Sequence, residues 1–125
     1  MLNSTASIQV RPFNKFISVI EIQGELTGFA ESRLMDAYNQ VKNGDTQTVI
    51  LNFEKMEYMN SSGIGLLITL LIRANRQGLK LVGVGLSQHF QRIFELTRLH
   101  EAIPLFSSEA NYLSSLQNNE KKILA

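Results

Sequence analysis

The sequence predicts an α/β fold in which a mostly parallel sheet of about five strands is covered by about four helices. Strand-like apolar segments alternate along the 125 residues with segments whose apolar residues recur at helical spacing. One strand-like segment, Thr48–Phe53, has a continuous apolar centre, which is typical of a strand buried on both faces of a parallel sheet. The predicted order, ββαβαβαβα, requires helical crossovers between parallel strands.

The first two strands are predicted to form a hairpin. Ile8 and Val10 alternate with polar residues, and Pro12 ends this short strand. Phe16–Leu26 is rich in β-branched residues and predicts the second strand.

The first helix is predicted from Phe29 to Lys42. Its apolar residues recur at helical spacing and are Ala30, Leu34, Tyr38 and Val41. Asn43 and Gly44 follow as a stop signal, after which Thr48–Phe53 begins the third strand.

The second helix is predicted to begin at Ser61 or Ser62 and to end near Gln77. Ile64–Ile72 is apolar almost all round, so we expect this helix to be packed on several sides. Nine residues are too few to cross a bilayer, which takes about 20 in a helix. Leu79–Leu86 follows as the fourth strand.

The last third of the chain completes the alternation. Ser87 is predicted to cap a third helix, and Ala102–Phe106 to form a short fifth strand whose Pro104 favours an edge position. A final helix is predicted from Ser108. We expect residues 1–125 to form one domain, with a core over residues 8–116 and frayed tails at 1–6 and 117–125.

Composition excludes several classes of function. The chain carries 12 basic and 11 acidic residues without a basic stripe, so nucleic acid is a poor partner. It has no cysteine, and its two histidines have no carboxylate cluster near them in sequence, so we expect no metal or other cofactor. The N-terminus lacks a signal-peptide pattern, and we expect a cytoplasmic protein without membrane insertion. Asn60 stands where the serine-hydrolase motif requires glycine, which argues against a serine hydrolase. We expect a binding module and not an enzyme.

The most informative segment joins a strand to the start of the apolar second helix. It places two hydroxyls, those of Ser61 and Ser62, where free backbone N–H groups point outward. Such a helix end favours negative charge and is suited to hold a phosphate. Gly63 and Gly65 keep side chains away, so that another protein's active site can approach.

Three segments resemble the STAS domain of bacterial anti-sigma factor antagonists. The family motif Asp-Ser-Ser-Gly-x-Gly resembles residues 60–65, Asn-Ser-Ser-Gly-Ile-Gly, which differ from it only at Asn60. Gly24-Glu25-Leu26 resembles the family's Gly-Glu-Leu-Asp. Phe94–Leu99, followed by Ile103 and Phe106, resembles its late Leu-x-x-Thr-Gly-Leu segment. The resemblance covers about Ile8 to Leu116.

The resemblance implies a partner switch. The unphosphorylated protein would bind an ATP-dependent serine kinase of the anti-sigma factor type. Phosphorylation of the second serine, Ser62, would release it, and a serine phosphatase would reset it. Ser61 is the less favoured site. The residues expected to contact partners are Thr27, Met59, Asn60, Ser61, Gly63, Ile64 and His89.

This chain departs from the family at three positions. Asn60 and Thr27 replace family aspartates, which removes negative charge near Ser62, and Arg98 replaces the late glycine. The resemblance alone leaves open how the loss of the carboxylates affects phosphotransfer.

Several alternatives remain open from sequence. STAS domains also occur as structural subunits of lipid-transport and other membrane-associated complexes, which need no phosphorylation. A small-molecule sensor is a third possibility without a supporting motif. Met56, Tyr58 and Met59 would form either an apolar rim for a partner or a plug in the core. We expect a monomer or a weak dimer.

Overall fold

A computed structural model of the protein describes residues 6–124, and the side chains of residues 6–118. These residues form six strands: β1 (Ser7–Pro12), β2 (Ile17–Leu26), β3 (Thr48–Asn52), β4 (Met56–Met59), β5 (Lys80–Val84) and β6 (Leu105–Phe106). Five helices accompany them: α1 (Glu31–Val41), α2 (Ser61–Arg76), α3 (Gln88–Leu96), α4 (Leu99–Ala102) and α5 (Glu109–Leu124). A single 3₁₀ turn, Gly28–Ala30, precedes α1.

The sheet confirms the predicted α/β class. Its strand order is β1-β2-β3-β5-β6, and β4 pairs with the end of β2 away from this path. The hairpin β1–β2 is antiparallel, with Val10 opposite Ile20. All other pairs are parallel, with Ile20 opposite Leu51 and Val49 opposite Leu81. The two-residue β6 lies at the sheet edge, as Pro104 predicted.

Both faces of the sheet are buried, because successive strand residues point to opposite sides. Ile20, Val49 and Leu51 pack in the larger core, against residues of α1, α2 and α3. Ile50 points the other way, into a smaller core that α5 covers with Tyr112. The predicted two-sided burial of the third strand is therefore confirmed.

Three features differ from the sequence-based expectations. β4 was not predicted, since its four residues lie directly before the serine motif and have no β-branched side chain. The helix α4 was also missed. It occupies Leu99–Ala102, so the last strand begins at Leu105 rather than at Ala102.

The third difference concerns α2, which is not packed on several sides. Leu67 and Leu70 are fully buried, but Ile68 and Ile72 are 41% and 47% exposed. The prediction of an all-round buried helix was wrong, because one face of the apolar run is open to solvent.

The predicted frayed tails lie partly outside the described residues, which exclude 1–5 and 125 and the side chains of 119–124. Ala6 is fully buried, and its carbonyl oxygen accepts a hydrogen bond from Arg33. The backbone of α5 is helical to Leu124.

Candidate functional site

The start of α2 is held in place by Asn60 rather than by either serine. The Oδ1 atom of Asn60 accepts a hydrogen bond from the N–H of Gly63 at 2.9 Å, and its carbonyl oxygen accepts one from Ile64 at 3.0 Å. Its own N–H donates to the carbonyl oxygen of Leu26, 3.4 Å away. Asn60 therefore caps the helix and ties it to the end of β2.

Because Asn60 is the cap, both serine hydroxyls are left unused by the helix. Ser61 and Ser62 are exposed, and neither side chain forms a hydrogen bond within residues 6–118. Their backbone N–H groups occupy the first turn, where a helix offers no internal acceptor. The first turn of α2 contains no acidic residue. No carboxylate of the first turn therefore offsets the positive end of the helix beside the Ser62 hydroxyl.

The loop between β2 and α1 forms one wall of the site. A Cβ atom built on Gly28 would lie 3.4 Å from the Cβ of Ser62 and 3.8 Å from its Oγ. Thr27 caps the 3₁₀ turn, since its Oγ1 accepts from the N–H of Phe29 at 3.3 Å. The Phe29 ring is 80% exposed. An aromatic side chain therefore projects into solvent from the segment that touches Ser62.

The two glycines of the motif have different surroundings. A Cβ on Gly63 would lie 2.1 Å from the carbonyl oxygen of Leu26 and 3.0 Å from the Cγ of Met59, so Gly63 is required for close packing of α2 on β2. A Cβ on Gly65 would meet nothing within 4 Å. Only Gly65 leaves open space above the helix.

The STAS domain family matches this chain over residues 8–112. The protein belongs to the STAS domain family.

Similar proteins include regulators and a transporter relative. The domain is 28% identical over 95 residues to the anti-sigma-B factor antagonist of Staphylococcus aureus, covering 76% of this chain and 87% of that protein. Its fold matches the Bacillus cell fate determinant SpoIIAA in the phosphorylated form, with a TM-score of 0.68 and 21% identity over 88% of this chain and 99% of that one. It also matches a sulfate transporter family protein from Wolinella succinogenes, with a TM-score of 0.70 and 16% identity over 81% and 84% of the two chains.

Most of the residues that were predicted to contact a partner lie around Ser62, but two of these residues are buried. Asn60, Thr27 and Ile64 are half-buried, and they belong to the start of α2 and the loop beside it. Gly63 is buried against β2, and Met59 is only 6% exposed. These two residues support the site from below instead of offering a surface to a partner.

The sequence left open whether the residues before the serine motif form an apolar rim for a partner or a plug in the core, and the structure shows both. Met56 and Met59 are buried and fill the core beneath the loop. Tyr58, which lies between them on β4, is 48% exposed and contributes to the surface.

His89 lies at the same edge of the sheet as Ser62. It sits in the first turn of α3, which follows β5, just as α2 follows β4, and parallel strands bring their carboxyl ends together. The His89 side chain is exposed and its ring contacts Phe90 edge-to-face, with 5.2 Å between centroids. No hydrogen bond joins His89 to the serine segment within the described residues.

Gly28 and Phe29 are the site residues that sequence reasoning missed. Phe29 was predicted to be the first residue of a helix and Gly28 was given no role, because the sequence does not show that the Phe29 ring is exposed.

A separate polar cavity lies behind the hairpin. Its volume is about 190 Å³, and its lining includes Arg11, Glu21, Asn52 and Glu109. The guanidinium of Arg11 donates to the carboxylates of Glu21, at 2.9 Å, and of Glu109, and both raise the pKa of Arg11. Asn52 donates to Glu109 at 2.7 Å. These groups satisfy one another and join β1 and β3 to the start of α5.

Two kinds of feature are absent from the described part of the chain. It contains no group of three or more His, Cys, Asp or Glu side chains placed to hold a metal ion. None of its helices combines the length and apolar character needed to span a membrane.

Proposed function

We propose that this STAS domain is a partner-switching regulator of the anti-sigma factor antagonist type. Its unphosphorylated form binds an ATP-dependent serine kinase of the anti-sigma factor type in the cytoplasm. Phosphorylation of Ser62 releases that partner, and a serine phosphatase restores binding. The observation that carries the proposal is the exposed Ser62 hydroxyl, free of hydrogen bonds within the described residues, at the N-terminus of α2, whose first turn contains no acidic residue.

Access to a kinase is supported by the open side of the site. Ser62 is exposed, and a Cβ placed on Gly65 would meet no atom within 4 Å apart from its own stretch of helix. An active site can therefore reach the hydroxyl without unfolding the helix. The S. aureus relative is an anti-sigma factor antagonist, and SpoIIAA has been observed in a phosphorylated form. Both relatives favour this kind of switch over a constitutive structural role.

The fold tolerates a phosphate on Ser62 because the cap of α2 is provided by Asn60. Asn60 already provides the side-chain acceptor for α2, so modifying Ser62 removes no hydrogen bond from the described part of the protein. A phosphate adds about −1.5 to −2 charges, which the helix N-terminus accepts favourably. The same charge would be desolvated against a docked partner. A 100-fold loss of affinity requires only about 2.8 kcal/mol.

The chemistry of phosphate transfer to Ser62 indicates which protein must supply the catalytic base. The Oγ of Ser62 attacks the γ-phosphorus of ATP, the bond to the β,γ-bridging oxygen breaks, and ADP leaves. The hydroxyl proton needs a base. Asn60 and Thr27 replace the family's carboxylates with an amide and a hydroxyl, neither of which is a base at neutral pH. We infer that the base belongs to the kinase.

A retention experiment tests the switch. Immobilised wild type, Ser62→Ala and Ser62→Asp are incubated with lysate of the source organism, and retained proteins are identified by mass spectrometry. We expect an ATP-binding kinase on the first two and its loss from Ser62→Asp. The matched control is Ser114→Asp, which adds the same charge at an exposed serine of α5.

Two results would contradict the proposal. Equal retention by Ser62→Asp and wild type would indicate a constitutive STAS subunit, as in lipid-transport complexes. Phosphopeptide mapping after incubation with ATP and the kinase should find phosphate on Ser62, and phosphate on Ser61 alone would move the site by one residue.

A further inference from the structure

The loop between α1 and β3 contains a reactive dipeptide that the proposed switch does not use. Asn43 is followed directly by Gly44, and no other asparagine of the chain precedes a glycine. Both residues are exposed. Gly44 has φ 95°, in the left-handed region, and a Cβ built on it would meet nothing within 4 Å. The surroundings of Gly44 are therefore open apart from its own chain neighbours.

We propose that Asn43 is a site of spontaneous deamidation in the folded protein. The backbone nitrogen of Gly44 attacks Cγ of the Asn43 side chain, the bond between Cγ and Nδ2 breaks, and the proton of the attacking nitrogen leaves with the amide as ammonia. The product is a cyclic imide. Water then opens this ring at either carbonyl carbon and leaves aspartate or isoaspartate at position 43. Water is the co-reactant, and nothing is oxidised or reduced.

The attacking nitrogen is free of hydrogen bonds. The N–H of Lys42 donates to the carbonyl oxygen of Tyr38 at 2.9 Å and closes α1. Within the described residues, the next backbone N–H that donates is that of Gln47, 2.8 Å from the carbonyl oxygen of Phe16. A bonded amide would have to lose its hydrogen bond before attacking. Gly44 has no such bond to lose, and it has no Cβ to obstruct the approach.

The side chain that is attacked is held by one weak contact. Nδ2 of Asn43 donates to the carbonyl oxygen of Asn39 at 3.1 Å, and both residues are exposed. An exposed hydrogen bond contributes little to stability, because water replaces it when it opens. Oδ1 of Asn43 forms no hydrogen bond with any residue that the structure describes. The side chain is therefore able to turn towards Gly44.

The surroundings of Asn60 show how the fold protects an asparagine. Its Oδ1 accepts the N–H of Gly63 at 2.9 Å, and the residue that follows it, Ser61, begins α2. Cyclisation there would remove the cap and distort the first turn of the helix. Asn14 and Asn52 are restrained in a similar way, since Oδ1 of each accepts at least one backbone N–H. We therefore expect Asn43 to react well before these three.

Deamidation should weaken the end of α1. A carboxylate at position 43 lies just beyond the C-terminus of the helix, where negative charge is unfavourable, and only two residues before Asp45. The hydrogen bond from Asn43 to Asn39 is lost as well. Isoaspartate in addition lengthens the main chain, because the Cβ atom becomes part of it.

The reactive loop lies at the opposite edge of the sheet from the serine motif. It leads into the N-terminal end of β3, whereas α2 follows the carboxyl end of β4, and both strands pair parallel with β2. The reaction requires no kinase and leaves the surface around Ser62 unchanged. It is therefore independent of the proposed partner switch.

Ageing of the purified full chain tests the proposal. The native protein is incubated at neutral and mildly alkaline pH, and acidic forms are separated by isoelectric focusing and located by peptide mapping with mass spectrometry. We expect an acidic form modified at Asn43, which accumulates faster as the pH rises because the attacking nitrogen must lose its proton. Gly44→Ala should slow its formation at least about tenfold, equivalent to about 1.4 kcal/mol in the activation free energy. Asn43→Gln should not acidify at this position on the same time scale, because its longer side chain would have to form a larger ring.

Two controls separate the effect of the fold from that of the local sequence. Asn75→Gln removes an exposed asparagine within α2, and the acidic form should accumulate as in wild type. In urea the cap of α2 is lost, so modification of Asn60 should be detectable in the unfolded chain alone, whereas Asn43 should react in both states. The weakening of α1 is measured with Asn43→Asp, which should have a lower urea midpoint than wild type.

Three results would overturn these expectations. An intact Asn43 in the aged native chain, or equal rates of acidification in Gly44→Ala and wild type, would refute the reactive site. A urea midpoint of Asn43→Asp at or above that of wild type would refute the weakening of α1. None of these results would alter the retention of a kinase by the Ser62 variants, and failure of the switch would leave the reaction at Asn43 unchanged.

Discussion

The carbonyl oxygen of Leu26 occupies the space that a side chain on Gly63 would require. A Cβ atom at Gly63 would lie 2.1 Å from that oxygen and 2.9 Å from the carbonyl carbon, and backbone atoms cannot turn aside as a flexible side chain does. The end of β2 and the first turn of α2 are therefore in contact through backbone alone. This contact sets the position of Ser62.

The Gly63→Ala variant should be strongly destabilised. Inserting a methyl group here forces α2 away from β2, and we expect a loss of about 3 kcal/mol in the free energy of unfolding. Urea denaturation measures it. Gly65→Ala is the control in the same helix, where the open surroundings should give a gain of about 0.5–1 kcal/mol. Unchanged stability of Gly63→Ala would show that the contact relaxes freely.

Asn60→Ala should lose the cap of α2. Because Asn60 Oδ1 accepts the Gly63 N–H at 2.9 Å, its removal should cost about 1 kcal/mol of unfolding free energy. Asn60→Asp keeps the acceptor and adds a charge favoured at a helix start, so we expect stability at or above wild type. Ser61→Ala, which removes no hydrogen bond seen among the described residues, should change little in the same denaturation series. An equal loss in Ser61→Ala and Asn60→Ala would be inconsistent with the cap assignment.

Arg98→Gly should stabilise the protein. Arg98 has φ 62°, in the left-handed region, between α3 and α4, where a Cβ is unfavourable. We expect a gain of about 0.5–1 kcal/mol, reduced by the loss of the exposed Arg98–Glu101 pair, whose nitrogen–oxygen distance is 2.9 Å. Thermal or urea unfolding measures the gain. Arg98→Ala retains the backbone strain and should show none, and Glu101→Gln separates the contribution of the ion pair.

Alkaline pH should destabilise the protein through Tyr38. Burial raises the pKa of the Tyr38 hydroxyl, an effect partly offset by the nearby Arg73, and the hydroxyl donates to Gln77. The unfolded chain therefore loses this proton first, near pH 10, so the stabilising contribution is present below that pH and falls as pH rises.

The comparison between wild type and Tyr38→Phe isolates this contribution. Tyr38→Phe loses the hydrogen bond to Gln77 at every pH but has no phenol to titrate. We expect the unfolding free energy of wild type to decline more steeply between about pH 9 and 11 than that of the variant. Parallel declines would show that Tyr38 titrates alike in the folded and unfolded states.

Much of the fold follows from local pattern. The β-branched run of β2 and the apolar centre of β3 determine strands buried on both faces, and the helical spacing from Leu34 to Val41 identifies α1. β4 could not be predicted in this way, because its pairing with Gly24–Leu26 depends on a register shift between Gly24 and Glu25 that no local pattern encodes. The four residues of α4 are too few for periodicity to be read.

The site was predicted in outline and missed in detail. The serine motif located Ser62 at a helix start, and its exposure agrees with that expectation. The exposure of Ile68 and Ile72 was missed because a continuous apolar run has no polar residues to mark the side that faces solvent. The burial of Gly63 was missed because a close approach between backbones depends on tertiary packing, which the two glycines of the motif do not distinguish.

The wall and floor around Ser62 come from Leu26 and Gly28 on one side and Asn60 on the other, two parts of the chain that are distant in sequence and meet only when β2 and α2 have docked. A short peptide with the motif's sequence would lack this setting, as would the unfolded chain. An enzyme that recognises the setting rather than the local sequence would act only on folded molecules. Phosphorylation of Ser62 would then also indicate that the protein has folded.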